Sequence, residues 1–225
     1  MTAVFVTSTG TDIGKTFVAR GMIQHLRARG RSDEALKPVV TGYDPRLAHA
    51  SDTGRLLAAL GRALTPDHID AISPFRLREP TSPDLAARRE NASIDFDALN
   101  AFCRNAIGHH RDALIIEGVG GIMVPLDERH TVLDWMIEID LPLILVVGSY
   151  VGTLSHTLSA LAVLDRHDLK VAAVVVSESA GSAVSLDDTA ATIRRFATGI
   201  EVLALPRLPN ELADHPAMAA IADLM

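Results

Sequence analysis

The residues of this chain best suited to chemistry fall in two clusters, each at the end of an apolar run. Thr7-Ser8-Thr9-Gly10-Thr11-Asp12-Ile13-Gly14-Lys15-Thr16 follows Val4-Phe5-Val6. Glu117-Gly118-Val119-Gly120-Gly121 follows Ala113-Leu114-Ile115-Ile116. A strand entering a glycine-containing turn and then Gly-Lys-Thr suits a polyphosphate. Successive backbone N–H groups wrap the anion, the lysine neutralises it and the threonine hydroxyl meets Mg²⁺. Position 9 is threonine where the plain G-x-x-x-x-G-K-[ST] pattern has glycine, so the flanking strand and helix carry much of the assignment. A carboxylate ending a buried strand is costly unless a cation meets it, which makes Glu117 a metal ligand or a lysine's partner. The two clusters together read as the site of a nucleoside triphosphate.

Three further segments could complete such a site. In Lys37-Pro38-Val39-Val40-Thr41-Gly42 the proline forces the residue before it into an extended conformation and aims Lys37 off a strand. From spacing alone a solvated edge lysine is the simpler reading. Ser51-Asp52-Thr53 opens a helix, where N-capping is the ordinary role and metal binding by Asp52 the chemical one. Gly152-Thr153-Leu154-Ser155-His156 opens another helix after an apolar run. Its free N–H groups and the positive end of the helix dipole suit an anion, with capping by Thr153 or Ser155 as the alternative. The histidines, including His109-His110, lack metal-ligand spacing.

The elements that must position these residues follow from hydrophobic periodicity. Strands are predicted at 4–6, 35–40, 113–117, 141–147, 170–176 and 201–205, and helices at 15–29, 52–64, 94–107, 154–167, 187–196 and 211–224. Residues 66–83, rich in proline, read as mostly loop. Strands alternating with helices imply a single α/β domain over residues 1–225, with a mostly parallel central sheet and helices on both faces. Ligands then gather at the C-terminal strand ends, where the clusters above all fall.

Composition narrows the partners. The chain has 225 residues, 48% hydrophobic and only 4% aromatic, and a net charge of −7 from 28 acidic and 21 basic residues. That balance argues against a standing nucleic-acid partner, which needs a basic face. The longest apolar stretch, 141–147, is far too short to span a bilayer. The N-terminus reads as a strand and not as a secretory signal, and the single cysteine, Cys103, fits a reducing cytoplasm and a buried apolar role.

Taken together, the loop ending Gly14-Lys15-Thr16, Lys37-Pro38-Val39 with Thr41-Gly42, Ser51-Asp52, Glu79-Pro80-Thr81-Ser82-Pro83, Glu117-Gly118-Val119-Gly120-Gly121 and Gly152-Thr153-Leu154-Ser155-His156 resemble the dethiobiotin synthetases. The resemblance runs in order over nearly the whole chain. It implies a P-loop, ATP- and Mg²⁺-dependent ligase of biotin synthesis that closes a cyclic urea on 7,8-diaminononanoate with CO₂. By resemblance, Thr16, Asp52 and Glu117 hold Mg²⁺, and Asp12, Ile13, Gly14, Lys15, Thr16 and Phe17 cradle the phosphates. Lys15, Thr16 and Lys37 carry the catalysis, Lys37 and Thr41 contact the diamine, and Gly118, Val119 and Gly120 approach nucleotide and substrate. Gly152, Thr153, Leu154 and Ser155 receive the substrate carboxylate from a neighbouring subunit, which implies a homodimer. Ser177, Pro206, Arg207 and Leu208 fall where the base is read.

The chain departs from the family's usual residues at Ser8 (glycine), Asp12 (glutamate or glycine), Asp84 (histidine or alanine), Ser155 (asparagine) and Ser177 (asparagine). A partitioning or positioning ATPase of the same fold is the alternative from another class. Such proteins carry a signature lysine five residues before the loop lysine, and here that position is Gly10. A homologue that binds nucleotide without turnover is the third reading.

Overall fold

A computed structural model describes residues 3–31, 33–208 and 215–225. Six parallel strands form the main sheet: β1 (Ala3–Ser8), β2 (Asp33–Leu36), β5 (Ala113–Glu117), β6 (Leu143–Gly148), β7 (Val171–Ser177) and β8 (Glu201–Leu205). They lie in the order β2–β5–β1–β6–β7–β8. β1, β5 and β6 are buried at every position, and apart from Thr7, Ser8 and Glu117 at their C-terminal ends their sequences run apolar without alternation. Chain direction across the sheet reverses around β1, and the crevice at that switch is where an open α/β sheet takes a ligand. Register sets what lies there: Val6 pairs with Glu117, and Ser8 with Val146.

Nine α-helices are described: α1 (Lys15–Ala28), α2 (Asp52–Ala59), α3 (Pro66–Ile72), α4 (Pro83–Arg89), α5 (Phe96–His109), α6 (Val132–Ile139), α7 (Thr153–Arg166), α8 (Leu186–Phe196) and α9 (Pro216–Ala222). α1 buries Val18, Met22, Ile23 and Leu26 on one face, the 3.6-residue pattern read from sequence. The final predicted helix, 211–224, is observed from Pro216, and residues 211–214 lie outside the described residues. Among the described residues no helix is long and apolar enough to cross a membrane.

Three expectations are corrected. The predicted strand 35–40 is two strands in different sheets: β2 in the main sheet, and β3 (Val39–Val40) paired in parallel with β4 (Phe75–Arg76). Pro38 causes the break, because it has no N–H for a ladder. The Lys37 N–H turns to the Ile72 carbonyl at 2.9 Å, and the Pro38 carbonyl receives the Phe75 N–H at 3.0 Å. The stretch 66–83 is not mostly loop. Pro66 occupies the first turn of α3, where its missing N–H costs nothing, and the Thr65 hydroxyl caps the helix by accepting the His68 N–H. The predicted helix 52–64 stops at Ala59, just before Gly61 turns to φ 66°.

The core reaches the site through Phe5. Its ring meets the fully buried Trp135 edge-to-face, with centroids 4.9 Å apart at 86°. The same ring lies against Gly118, where a Cβ would come within 2.8 Å of it. Trp135→Ala should therefore lower stability by about 3–5 kcal/mol, measured as a lower urea midpoint by circular dichroism.

Candidate active site

The first loop is built to present backbone donors. Asp12 and Gly14 take φ values of 56° and 114°, which turn the chain sharply into α1. Gly14 caps that helix without a side-chain bond, so no side chain competes with an anion for its first-turn N–H groups. Lys15 is 7% exposed, with its ammonium 3.0 Å from Ser8 Oγ and 3.1 Å from the Gly10 carbonyl.

Next to it stands a buried charge cluster. Glu117 is completely buried, and its Oε1 accepts from the Thr16 hydroxyl at 2.7 Å and from Lys37 Nζ at 2.7 Å. Lys37, 2% exposed, also donates to the Gly118 carbonyl at 2.6 Å and lies 3.4 Å from Asp52 Oδ2. The solvated edge lysine suggested by spacing alone is thus a fully enclosed ammonium. Burial alone would lower its pKa, but Glu117 and then Asp52 outweigh that and hold it above the ordinary lysine value. Burial likewise works to raise the Asp52 carboxyl, yet Lys37 and the Thr16 hydroxyl keep it below the usual carboxylate range. Lys15 goes the other way. Burial, with repulsion from Lys37 added, brings it down to about 8 against the pull of Glu117, Asp52 and Asp12.

The residues present fit Mg²⁺. Glu117 Oε2 is buried without a hydrogen-bond partner, although such an oxygen ordinarily has one. Thr16, Asp52 and Glu117 offer hard oxygen donors, the kind Mg²⁺ takes alongside phosphate and water oxygens. Among the described residues no three His, Cys, Asp or Glu side chains converge as a metal cage.

A cleft of about 700 Å³ opens over this cluster. Of the residues singled out from sequence, Asp12, Gly14, Lys15, Thr16, Phe17, Lys37, Thr41, Asp52, Glu117, Val119 and Gly120 line it. Ile13 packs on the core beneath the loop, and Gly118 contributes the carbonyl that Lys37 meets. Ser177 ends β7 against the outer side of the loop, its Oγ 3.0 Å from where a Gly14 Cβ would stand. Pro206, Arg207 and Leu208 follow β8, where the Arg207 N–H donates to Glu178 at 2.7 Å. Gly152, Thr153, Leu154 and Ser155 do not line the cleft. Thr153 is buried and donates to the Gly148 carbonyl at 2.8 Å, Leu154 packs on the core, and Ser155 is exposed.

Sequence reasoning gave no role to Arg55 or to the wall Pro80, Thr81, Ser82 and Pro83, all of which line the cleft. The signal for Arg55 was its place three residues after Asp52, on the same helix face. The wall entered the sequence reading only as part of the family resemblance, with no role for any of its residues. It is brought in by long-range bonds, Gly42 N–H to the Glu79 carbonyl at 3.1 Å and Tyr43 N–H to the Leu77 carbonyl at 2.9 Å.

A parallel α/β sheet with a phosphate-type loop after its first strand defines the class of P-loop nucleotide-binding proteins. Solved structures agree on the fold. A chain of the MinC:MinD cell division protein complex of Aquifex aeolicus matches with a TM-score of 0.58 at 13% identity, covering 100% of this chain and 93% of that one. MinD of Pyrococcus furiosus matches at 0.54 and 15% identity, covering 100% and 97%. The family model described as an AAA domain matches residues 2–213. Sequence relatives are much nearer. The ATP-dependent dethiobiotin synthetase BioD of Acidiphilium cryptum is 44% identical over 87% of this chain and 88% of its own length. That of Caulobacter sp. is 44% identical over 99% and 96%, and that of Methylobacterium nodulans 43% over 92% and 94%. The chain belongs to the dethiobiotin synthetase family.

The lowered Lys15 gives a pH signature. A polyphosphate held beside Lys15 would raise its pKa again, so nucleotide binding there would take up a proton wherever the free protein has lost it. Uptake should be near zero at about pH 7, roughly half a proton at pH 8 and most of one at about pH 9. Affinity should fall as pH rises above about 8. Calorimetric titrations with Mg-ATP in buffers of different ionisation enthalpy measure this directly.

Proposed function

We propose that this chain is an ATP-dependent ligase that closes the ureido ring of dethiobiotin from 7,8-diaminononanoate and CO₂, releasing ADP and phosphate. The observation that carries this reading is the enclosed Lys37 ammonium between Glu117 and Asp52, beside the phosphate loop, in a chain 44% identical to enzymes of that name.

The chemistry needs three steps. One substrate amine bonds to CO₂ and loses a proton, giving a carbamate. A carbamate oxygen then takes the γ-phosphoryl group of ATP, breaking its bond to ADP. The neighbouring amine attacks the carbonyl carbon of that mixed anhydride, loses a proton and expels inorganic phosphate. Lys37 suits the first two steps, because a lysine kept charged favours the carbamate anion over the neutral amine and steadies the incoming phosphoryl group. Lys15 and the N–H groups from Asp12 to Phe17 hold the phosphates in line. Thr16, Asp52 and Glu117 would hold Mg²⁺, whose charge offsets that of the phosphate oxygens when bound. Thr41 and the wall at Pro80 to Pro83 border the space left for the diamine.

The substrate's carboxylate has no assigned partner within this cleft. Gly152, at φ 99°, caps the 14-residue α7 without a side-chain bond. The Thr153 N–H is taken by the Tyr150 carbonyl at 3.0 Å, so of the turn Gly152-Thr153-Leu154-Ser155 the Leu154 and Ser155 N–H groups suit that carboxylate across a homodimer interface. Sedimentation should give a dimer. Mixing Lys37→Ala protein with Ser155→Asp protein should restore up to about a quarter of wild-type activity, since one of two hybrid sites then holds neither change.

The decisive assay is ADP release from Mg-ATP and bicarbonate, with and without the diamine, and mass analysis of the product. Diamine-dependent release with dethiobiotin formed is expected. Release stimulated by DNA or lipid and indifferent to the diamine would support the positioning-ATPase reading instead. Lys37→Ala should lower kcat by about 10²–10³ with an unchanged circular dichroism spectrum, and near-normal turnover would remove Lys37 from the mechanism.

A further inference from the structure

Ser8, the last residue of β1, is completely buried, and its hydroxyl joins three parts of the site. It lies 2.5 Å from the Gly10 carbonyl and 3.0 Å from the Gly120 carbonyl, and it accepts from the Gly10 N–H at 3.3 Å and from Lys15 Nζ at 3.0 Å. A hydroxyl has one proton and two lone pairs. One proton shared between two carbonyls, and two accepted bonds, use that capacity fully. For Lys15 the Ser8 oxygen is one of two acceptors, the other being the Gly10 carbonyl at 3.1 Å. An ammonium has three N–H donors, so one is left to face the cleft.

The same hydroxyl fastens the strap at 118–121 to the phosphate loop. The Ile122 N–H bonds to the Ser8 carbonyl at 3.0 Å, and a Cβ on Gly121 would lie 3.1 Å from the Thr9 carbonyl group. The strap and the loop thus touch along their backbones, and Ser8 Oγ is the side-chain atom that bonds to both.

We propose that Ser8 is a positioning residue for nucleotide binding: its hydroxyl holds Lys15 over the loop with one N–H free, and locks the loop to the Gly120 strap. Fixing a long side chain in advance removes part of the ordering cost that phosphate binding would otherwise carry. The inference rests on the phosphate-binding reading of the loop and is independent of which second substrate the enzyme takes.

The test is a double-mutant cycle read by equilibrium titration without diamine, using Mg-ATP and AMP on wild type, Ser8→Ala, Lys15→Met and the double variant. Ser8→Ala should weaken Mg-ATP about ten-fold and AMP less than about two-fold, because the lysine serves the β- and γ-phosphates. In the Lys15→Met background the same change should have no further effect. Equal weakening of both nucleotides, the same loss without Lys15, or unchanged Mg-ATP affinity would each overturn the proposal. Thermal melting separates a structural role, which would lower the melting temperature and both affinities together. If Ser8→Ala does not fold, Ser8→Gly replaces it with the same expected pattern. A wild-type protein that binds Mg-ATP but forms no ring-closed product would sink the ligase reading and leave this one standing.

Discussion

One carboxylate oxygen organises the site. Glu117 Oε1 is out of contact with water and is shared between the Thr16 hydroxyl and the Lys37 ammonium. A lone charge there would cost several kcal/mol, so the fold must deliver both donors to one point. The sheet does this. β5 lies beside β1 in a register that places Glu117 opposite Val6, just below the turn that sends Thr16 into the first coil of α1. Lys37 arrives from the far side of β5, where β2 ends. Three segments distant in sequence therefore meet because parallel pairing fixes their heights.

Two lysines that feel the charge of the same acids end up with opposite character. Lys37 is clasped by carboxylates and kept charged, while Lys15 leans on neutral oxygens and is repelled by its neighbour. The first is a permanent fixture of the resting site, and the second is completed only by an anionic visitor. This division agrees with a reaction in which one anion is made in place and another is brought in ready charged.

Local signals in the sequence captured the frame well. β5 and β8 have the predicted limits, and β1 and α1 differ by a few residues at their ends, because buried parallel strands and an amphipathic helix write themselves into apolar spacing. Lys37 was harder. Its partner Glu117 is 80 residues away, and no local pattern records a contact of that range. The split at Pro38 was signalled by the proline, but which sheet took each half depended on Phe75. α6 was missed although Thr131 and Asp134 form a capping box, since an eight-residue helix between a loop and a strand offers little periodicity. The cleft wall at Pro80 to Pro83 depended on backbone bonds that any residue could make.

The break at Pro38 has a consequence for how the family can diversify. After it the chain leaves the main sheet, builds the small β3–β4 pair with α2, α3 and α4, and returns only at β5. The nucleotide side of the cleft is thereby written into the sheet's own strand ends, whereas much of the opposite wall belongs to this detour. Substitutions in the detour can therefore reshape what the cleft admits without moving the strand ends that position Lys15, Thr16 and Glu117. A single proline thus separates the wall that borders the second substrate from the loop that meets the phosphates.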